Sequence, residues 1–111
     1  MKPLVIVESP YKGDVESNEK YARRCMFDSL NRGEAPFLSH ALYTQCLDDT
    51  LKEERKLGME AGWEWIRSSD YTVVYVDYGI SDGMQSGIEL ANQLNHKIIK
   101  RKIGKNNKKR S

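Results

Sequence analysis

The sequence predicts an α/β protein of the Rossmann-like (flavodoxin-like) class: a three-layer sandwich of about four mainly parallel strands with helices on both faces. Short apolar runs rich in β-branched residues alternate with longer amphipathic stretches. This alternation is typical of parallel sheets, because each crossover between parallel strands needs a helix. With 111 residues the chain is expected to form one domain over residues 1–103, followed by a basic tail over residues 104–111.

The first half of the chain predicts a strand, a helix and a second strand. The run "PLVIVE", from Pro3 to Glu8, is apolar and rich in β-branched residues, as in a buried strand. Asp14 is a suitable N-cap for a helix that extends to about Arg32, and Gly33 is expected to end that helix. A short second strand is expected within Ala35 to Tyr43.

The second helix is predicted to run through "LGMEAGWEWIRSS", with Asp48, Asp49 or Thr50 as its cap. Gly58 and Gly62 each weaken a helix by roughly 1 kcal/mol relative to alanine, which indicates close packing or space for a ligand. The expected apolar stripe of this helix comprises Leu57, Ala61 and Trp65, with Met59 and Ile66 beside it.

The last three elements follow the same pattern. "YTVVYV" predicts a third strand, and a third helix is expected from about Gly83 to about Asn95. Glu89 is expected to lie to one side of the buried stripe of this helix. The alternating run "KIIKRKI" predicts a final strand at an edge of the sheet.

Charge is distributed unevenly along the chain. The formal net charge is +2, but residues 97–111 contain eight Lys or Arg and no acid, which leaves residues 1–96 at −6. The basic end can bind nucleic acid or an anionic surface. A solvated tail is the simpler interpretation and is favoured, because no aromatic residue is interleaved with the charges.

Other bulk features indicate a cytoplasmic protein, in the host cytoplasm if the chain is phage-encoded. No apolar run approaches the ~18 residues of a membrane span, and the N-terminus lacks the pattern of a signal peptide. Cys25 and Cys46 have no Cys-x-x-Cys spacing, so ordinary thiols are favoured over a metal site. We expect no metal and no cofactor.

Topology places three segments at one rim of the predicted sheet: "ESPYKGD", "SHALYTQ" and "DYGISDG". In open parallel sheets ligands bind beyond the carboxyl ends of the strands, where the strand order reverses. We therefore expect one binding site at this rim. Its candidate ligand-binding residues are Ser9, Pro10, Tyr11, Gly13, His40, Asp77, Ser81, Asp82, Gly83, Met84 and Gly87.

The first two rim segments each allow a functional and a structural interpretation. Backbone N–H groups near the first helix suit an anion, Tyr11 can stack on a base, and Lys12 can meet a phosphate. A plain turn with a helix cap is the alternative. His40 can act as a general acid or base, or it can be a structural or exposed histidine.

The third rim segment is similarly ambiguous. Asp77 ends the predicted strand, where a carboxylate can bind ribose hydroxyls. Ser81 and Asp82 are good helix caps, and Gly83 allows a ligand to approach the backbone closely. The combination indicates a phosphate or sugar site, although many helix starts share it.

Four segments give the chain a wider resemblance. They are "LVIVESPYKGD", "PFLSH", "MEAGWEWIRSSDYTVVYVD" and "GISDGMQSGIELANQLNHKII". Over about residues 3 to 100 the chain resembles the nucleoside 2-deoxyribosyltransferase-like superfamily, and especially its small, often phage-encoded members. Enzymes of that superfamily cleave or transfer the N-glycosidic bond of a deoxyribonucleoside or its monophosphate, using a glutamate nucleophile and a helper carboxylate. Relatives usually complete their pockets with a neighbouring chain.

The resemblance places two glycines where that chemistry needs carboxylates. The nucleophile position falls on Gly87, and the helper position falls near Gly62. Glu89 lies two residues further on, about 200° around the helix, so it is poorly placed as a substitute. We therefore expect binding of a nucleoside or nucleotide-derived ligand without glycosyl transfer, with sequestration of a nucleotide metabolite or signal as a biological role.

Two alternatives remain open at this stage. The first is a deoxyribosyltransferase or nucleotide N-glycoside hydrolase that uses Glu89, or another rim acid such as Asp77 or Asp82. The second is a nucleic-acid-associated protein that uses the basic C-terminus. Self-association into a homo-oligomer is expected in each case, because a small domain gains core by pairing. No membrane partner is expected.

Overall fold

The computed structural model describes residues 1–38 and 42–104, which form a four-stranded, all-parallel sheet and three long helices. The α/β, Rossmann-like class predicted from the sequence is thereby confirmed. In chain order the elements are β1 (Leu4–Glu8), α1 (Val15–Asn31), β2 (Ala35–Phe37), α2 (Lys52–Ser68), β3 (Tyr71–Tyr75), α3 (Asp82–Gln93) and β4 (Ile98–Arg101).

The strand order is β2-β1-β3-β4, so β4 is an edge strand, as its sequence predicts. The chain first steps from β1 to β2 and then returns to the other side of β1 to form β3. The order therefore reverses between β1 and β3, whose register pairs Ile6 with Thr72 and Glu8 with Val74. Right-handed crossovers place α1 on one face and both α2 and α3 on the other.

Each face of the sheet has its own apolar cluster. Under α1, the side chains of Val5, Val7, Val73 and Tyr75 pack with Tyr21 and neighbouring helix residues. On the opposite face a smaller cluster beneath α3 contains Val74, Met84 and Ile88. The two sets alternate along β3 because successive residues of a strand point to opposite faces.

The boundaries of α1 follow the capping signals in the sequence. Asp14 is the N-cap, and its side chain accepts a hydrogen bond from the Ser17 N–H at 3.1 Å. Gly33 follows the helix with φ +88°, a left-handed conformation that glycine adopts without the steric penalty of a side chain.

Two expectations for α2 are wrong. Its N-cap is Leu51, which makes no side-chain cap, because the Asp48 carboxylate instead accepts hydrogen bonds from the Thr50 N–H and hydroxyl. Of the expected stripe, Leu57 is 58% exposed and Trp65 is 45% exposed. Only Ile66 of this helix is buried. The reason is geometric: the inner side of α2 faces an open cleft instead of a packed helix.

A buried ion pair joins the segment before β2 to the end of β4. Arg101 donates to both carboxylate oxygens of Glu34, at 2.9 and 3.0 Å. The Ser29 and Tyr71 hydroxyls donate to the same carboxylate. These hydrogen bonds, led by the one from Arg101, lower the pKa of Glu34 to about 2. Arg101 therefore stabilises the two edges of the sheet and does not belong to a frayed basic tail.

Candidate functional site

A cleft of about 540 Å³ lies at the carboxyl edge of the sheet, between α2 and α3. Its floor includes Ile6 and Glu8 of β1, Ile66 of α2 and Met84 of α3. The cleft thus adjoins the point between β1 and β3 where the strand order reverses, which is the usual ligand position in sheets of this type. Its volume is within the range of small-molecule pockets.

The cleft brings together most of the residues that the sequence singles out. Ser9 and Tyr11 reach it from the first rim segment. The third rim segment and α3 contribute Ser81, Asp82, Gly83, Met84, Gly87 and Glu89. Pro10 and Gly13 belong to the same loop as Ser9 but do not line the cleft. His40 lies outside the described residues, so its predicted role stays a prediction.

The start of α3 is held by reciprocal capping. The Ser81 hydroxyl accepts a hydrogen bond from the Met84 N–H at 3.2 Å, and the Met84 sulfur accepts one from the Ser81 N–H at 3.5 Å. Ser81 is therefore the N-cap that the sequence predicts. At Gly83, which lines the cleft, an added Cβ would meet no atom within 4 Å, so the space beside this turn is open.

The loop after β1 is held in place by hydrogen bonds from α1. The Asn18 side chain donates hydrogen bonds to the carbonyls of Tyr11 and Lys12, each at 3.0 Å. The Lys12 ammonium forms an exposed ion pair with Asp49 at 3.6 Å, across the cleft entrance. Exposed pairs of this kind contribute little to stability.

Aromatic rings form one wall of the cleft. The Trp65 indole N–H donates to the Tyr43 hydroxyl at 2.8 Å, and both residues line the cleft. The Trp65 ring stacks on Phe37, with centroids 4.3 Å apart. These contacts tie α2 to the end of β2 and give the cleft a flat apolar surface, the kind of surface on which a nucleobase stacks.

Glu8 is the residue that reasoning from the sequence missed. It ends β1 on the same face as Ile6, so its side chain rises from the floor of the cleft. Its carboxyl lies against α3 at Gly87: a Cβ added there would stand 2.6 Å from the Glu8 Cδ, closer than real Cβ atoms approach, and 3.0 Å from Oε1. Gly87 therefore leaves the space that this carboxyl fills.

The environment of Glu8 favours the protonated acid. Burial raises the pKa of Glu8 to about 8, and no opposing interaction accompanies it. The carboxyl makes no hydrogen bond or ion pair with any residue within 1–38 and 42–104. A carboxyl that is neutral at pH 7 can donate one hydrogen bond and accept another.

Two features of the sequence, taken together, indicate a role for Glu8. It is the first residue of "ESPYKGD", and it shares the inward strand face with Ile6. The glycine opposite it sits in a helix interior, where glycine needs a packing or functional reason. Only the fold shows that these two positions meet, because they are 79 residues apart in the chain.

Asp77 lies outside the cleft. Its carboxylate accepts hydrogen bonds from the Tyr21 hydroxyl at 2.6 Å and from the N–H groups of Ile103 and Gly104. Burial alone would raise its pKa, but these hydrogen bonds outweigh burial and hold the pKa of Asp77 below its usual range. Asp77 thus anchors the chain after β4 to α1, and it does not line the cleft.

Replacing Asp77 by alanine is expected to lower the free energy of unfolding by about 1–3 kcal/mol, because the Tyr21 hydroxyl loses its acceptor in a buried position. Urea titration measures this loss. Ligand affinity at the cleft is expected to stay unchanged in the folded variant. A large drop in affinity at unchanged stability would restore the ribose-binding role predicted from the sequence.

The two cysteines are separate thiols, Cys25 buried and Cys46 exposed. Within the described part of the chain, no group of three or more His, Cys, Asp or Glu residues is arranged to hold a metal ion. None of the helices described is long and apolar enough to cross a bilayer.

Together these features define an α/β protein with a ligand-sized cleft at the reversal point of a small parallel sheet. Residues 3–101 match the family model of a domain of unknown function, DUF7768. The chain belongs to this family, whose model spans the whole sheet and all three helices. No curated protein matches the chain.

Proposed function

We propose that this protein binds a nucleoside or nucleotide-derived ligand in the cleft between α2 and α3. The observation that carries the proposal is the convergence of the first and third rim segments on one cleft beside the strand-order reversal. Stacking surface from Tyr11, Tyr43 and Trp65 suits a base, and the polar groups near Ser81 suit a sugar. The sequence resemblance to the nucleoside 2-deoxyribosyltransferase-like superfamily supports the same ligand class.

Charge in the cleft favours a nucleoside over a phosphorylated ligand. The charged residues that line it are Lys12, Asp49, Glu54, Arg55, Asp82 and Glu89, in addition to Glu8. Even with Glu8 neutral, four acids face two bases, and Lys12 is paired with Asp49. An added phosphate would meet net negative charge there. We therefore propose that nucleosides bind more tightly than their monophosphates.

The proposal is tested by thermal unfolding with the four common deoxynucleosides and their monophosphates. A ligand at 100 times its dissociation constant is expected to stabilise the protein by about 2.7 kcal/mol. Gly83→Phe places a ring in the open space beside the cleft and should remove the shift. Gln85→Phe adds the same ring to an exposed position of α3 outside the cleft, and the shift should persist. Absence of a shift with every ligand contradicts the proposal.

Cleavage of the N-glycosidic bond is the second candidate, and the Glu8 carboxyl beside Gly87 favours it. That carboxyl occupies the place where the resemblance puts a nucleophile. In hydrolysis the bond from C1′ to the base breaks as the neutral Glu8 acid gives its proton to the leaving base, water oxygen adds to C1′, and the proton lost by that water returns to the Glu8 carboxylate. Release of free base, seen by chromatography and abolished by Glu8→Gln, would support this candidate over binding alone.

Binding without turnover would allow the protein to sequester a nucleotide metabolite or signal, in keeping with a phage-encoded cytoplasmic protein. We also propose self-association through α2. Its Leu57, outside the cleft, and its Met59 and Trp65, which line the cleft, all leave apolar surface exposed. Binding of nucleic acid by the basic C-terminus is an alternative that stays a prediction, because residues 105–111 lie outside the described chain.

A further inference from the structure

The Glu8 carboxyl has a placement that the proposed binding function alone does not explain. It stands on the floor of the cleft at the end of β1, with α3 open beside it only because residue 87 is glycine. Polar groups buried in proteins nearly always have hydrogen-bond partners. Glu8 has none among the residues described, and its half-buried carboxyl lines the cleft, so its hydrogen-bonding capacity is available to the contents of the cleft.

We propose that Glu8, in the form of a neutral carboxylic acid, recognises the ligand. The acid would pair side by side with a ring edge of the ligand that carries a hydrogen-bond acceptor next to a donor. The chemical class is an amidine or lactam edge of a nucleobase. Such an edge accepts the acid O–H and donates N–H to the acid C=O. This inference rests on the proposed function, and it adds the recognition group, the ligand edge and a dependence on pH.

The burial of the carboxyl on the cleft floor and its lack of a charged partner among the described residues both favour the neutral form over a carboxylate. Two acceptor oxygens would suit a double donor, such as an arginine fork, but an ionised carboxylate without a partner is costly to bury. The acid form needs no counter-ion. Burial raises the pKa of Glu8 to about 8, so the acid is the main species at pH 7.

Other titratable groups face the cleft from each packed element. They are Lys12 and Asp49 in the loops, Glu54 and Arg55 on α2, and Asp82 and Glu89 on α3, with the phenols of Tyr11 and Tyr43. None of them shifts the pKa of Glu8, for which burial is the cause. The pH dependence of recognition therefore belongs to Glu8.

The test compares the protein with Glu8→Gln in equilibrium dialysis against the four deoxynucleosides at pH 6 and pH 9. Glutamine keeps one acceptor and one donor in nearly the same shape at every pH. The ratio of the two dissociation constants for one nucleoside at one pH cancels any titration of the nucleoside itself. Glu60→Gln is the control, because it makes the same exchange at an exposed site of α2 that does not line the cleft.

At pH 6 the protein and Glu8→Gln are expected to bind with similar affinity. At pH 9 only about one molecule in ten keeps the acid form, so the protein is expected to bind about tenfold more weakly than Glu8→Gln. Glu8→Ala should bind weakly at both pH values. Methylation of the donor nitrogen of the base blocks the N–H that pairs with the C=O at residue 8. The methylated nucleoside should therefore gain no affinity from the acid of Glu8 or from the amide of Glu8→Gln.

Each way in which the inference can fail gives a different binding result. Binding that is equal in the two proteins at both pH values overturns the role of Glu8 and leaves the proposed function intact. Loss of binding in Glu8→Gln at every pH shows that the ionised carboxylate is required, and this also overturns the inference. Absence of binding by either protein at any pH overturns the proposed function and the inference with it.

Discussion

Replacing Arg101 by methionine is expected to lower the free energy of unfolding by about 3–5 kcal/mol. The substitution leaves Glu34 charged and buried without its counter-ion, because the side chains of Arg101 and Glu34 are only 11% and 6% exposed. It also removes a donor to the Tyr75 hydroxyl. Urea unfolding at pH 7 measures the loss.

Lys100→Met is the matched control, since it removes a positive charge from an exposed neighbour on the same strand. It should change stability by less than about 0.5 kcal/mol. Adding Glu34→Gln to Arg101→Met should recover part of the loss, because the uncompensated charge is then gone. A loss below about 1 kcal/mol for Arg101→Met alone would contradict a structural role for the pair.

The Glu8 carboxyl is expected to make the protein less stable as the pH rises. Its folded pKa of about 8 lies above the unfolded value of 4.5, so the folded state binds more protons between these values. The contribution of this group to stability is therefore fully present below about pH 4.5, and it is lost as the pH rises to about 8. At ~1.4 kcal/mol per pKa unit, less some relief from solvent in the open cleft, the fall should be about 2–4 kcal/mol.

Glu8→Gln should remove this dependence, because an amide does not ionise. The variant should equal the parent protein near pH 5 and exceed its stability by the same 2–4 kcal/mol at pH 9, as measured by urea titration at each pH. Glu89→Gln, an exchange at an exposed carboxylate of α3, should leave the slope in place. Parallel pH profiles for the parent protein and Glu8→Gln would mean that Glu8 is solvated and ordinary.

Much of the fold follows from local patterns. The β-branched runs predict β1 and β3, and Asp14 and Gly33 mark the ends of α1, because strand burial and helix capping depend on nearby residues. The exposure of α2 does not follow, since its apolar residues fit an ordinary buried stripe equally well. Whether a neighbouring helix covers such a stripe depends on tertiary structure.

The candidate site likewise contains residues that local sequence rules predict and residues that they do not. Rim residues such as Ser9 and Ser81 follow from the rule that parallel strands direct their ends to one edge. The roles of Glu8 and Arg101 depend on contacts with residues 79 and 67 positions away. Neither residue type nor spacing shows those contacts, and a basic run around Arg101 gives no sign that one of its members is buried.

The contact between Glu8 and Gly87 has a consequence for anyone who wishes to redesign this cleft. A Cβ at residue 87 and the Glu8 carboxyl, as it lies, compete for the same volume. The Glu8 atoms in that volume are the far end of a flexible side chain, so a glutamate grafted onto α3 at residue 87 requires the Glu8 carboxyl to turn away or residue 8 to be truncated. Truncation would move the acid from the strand to the helix while keeping one carboxyl in the cavity.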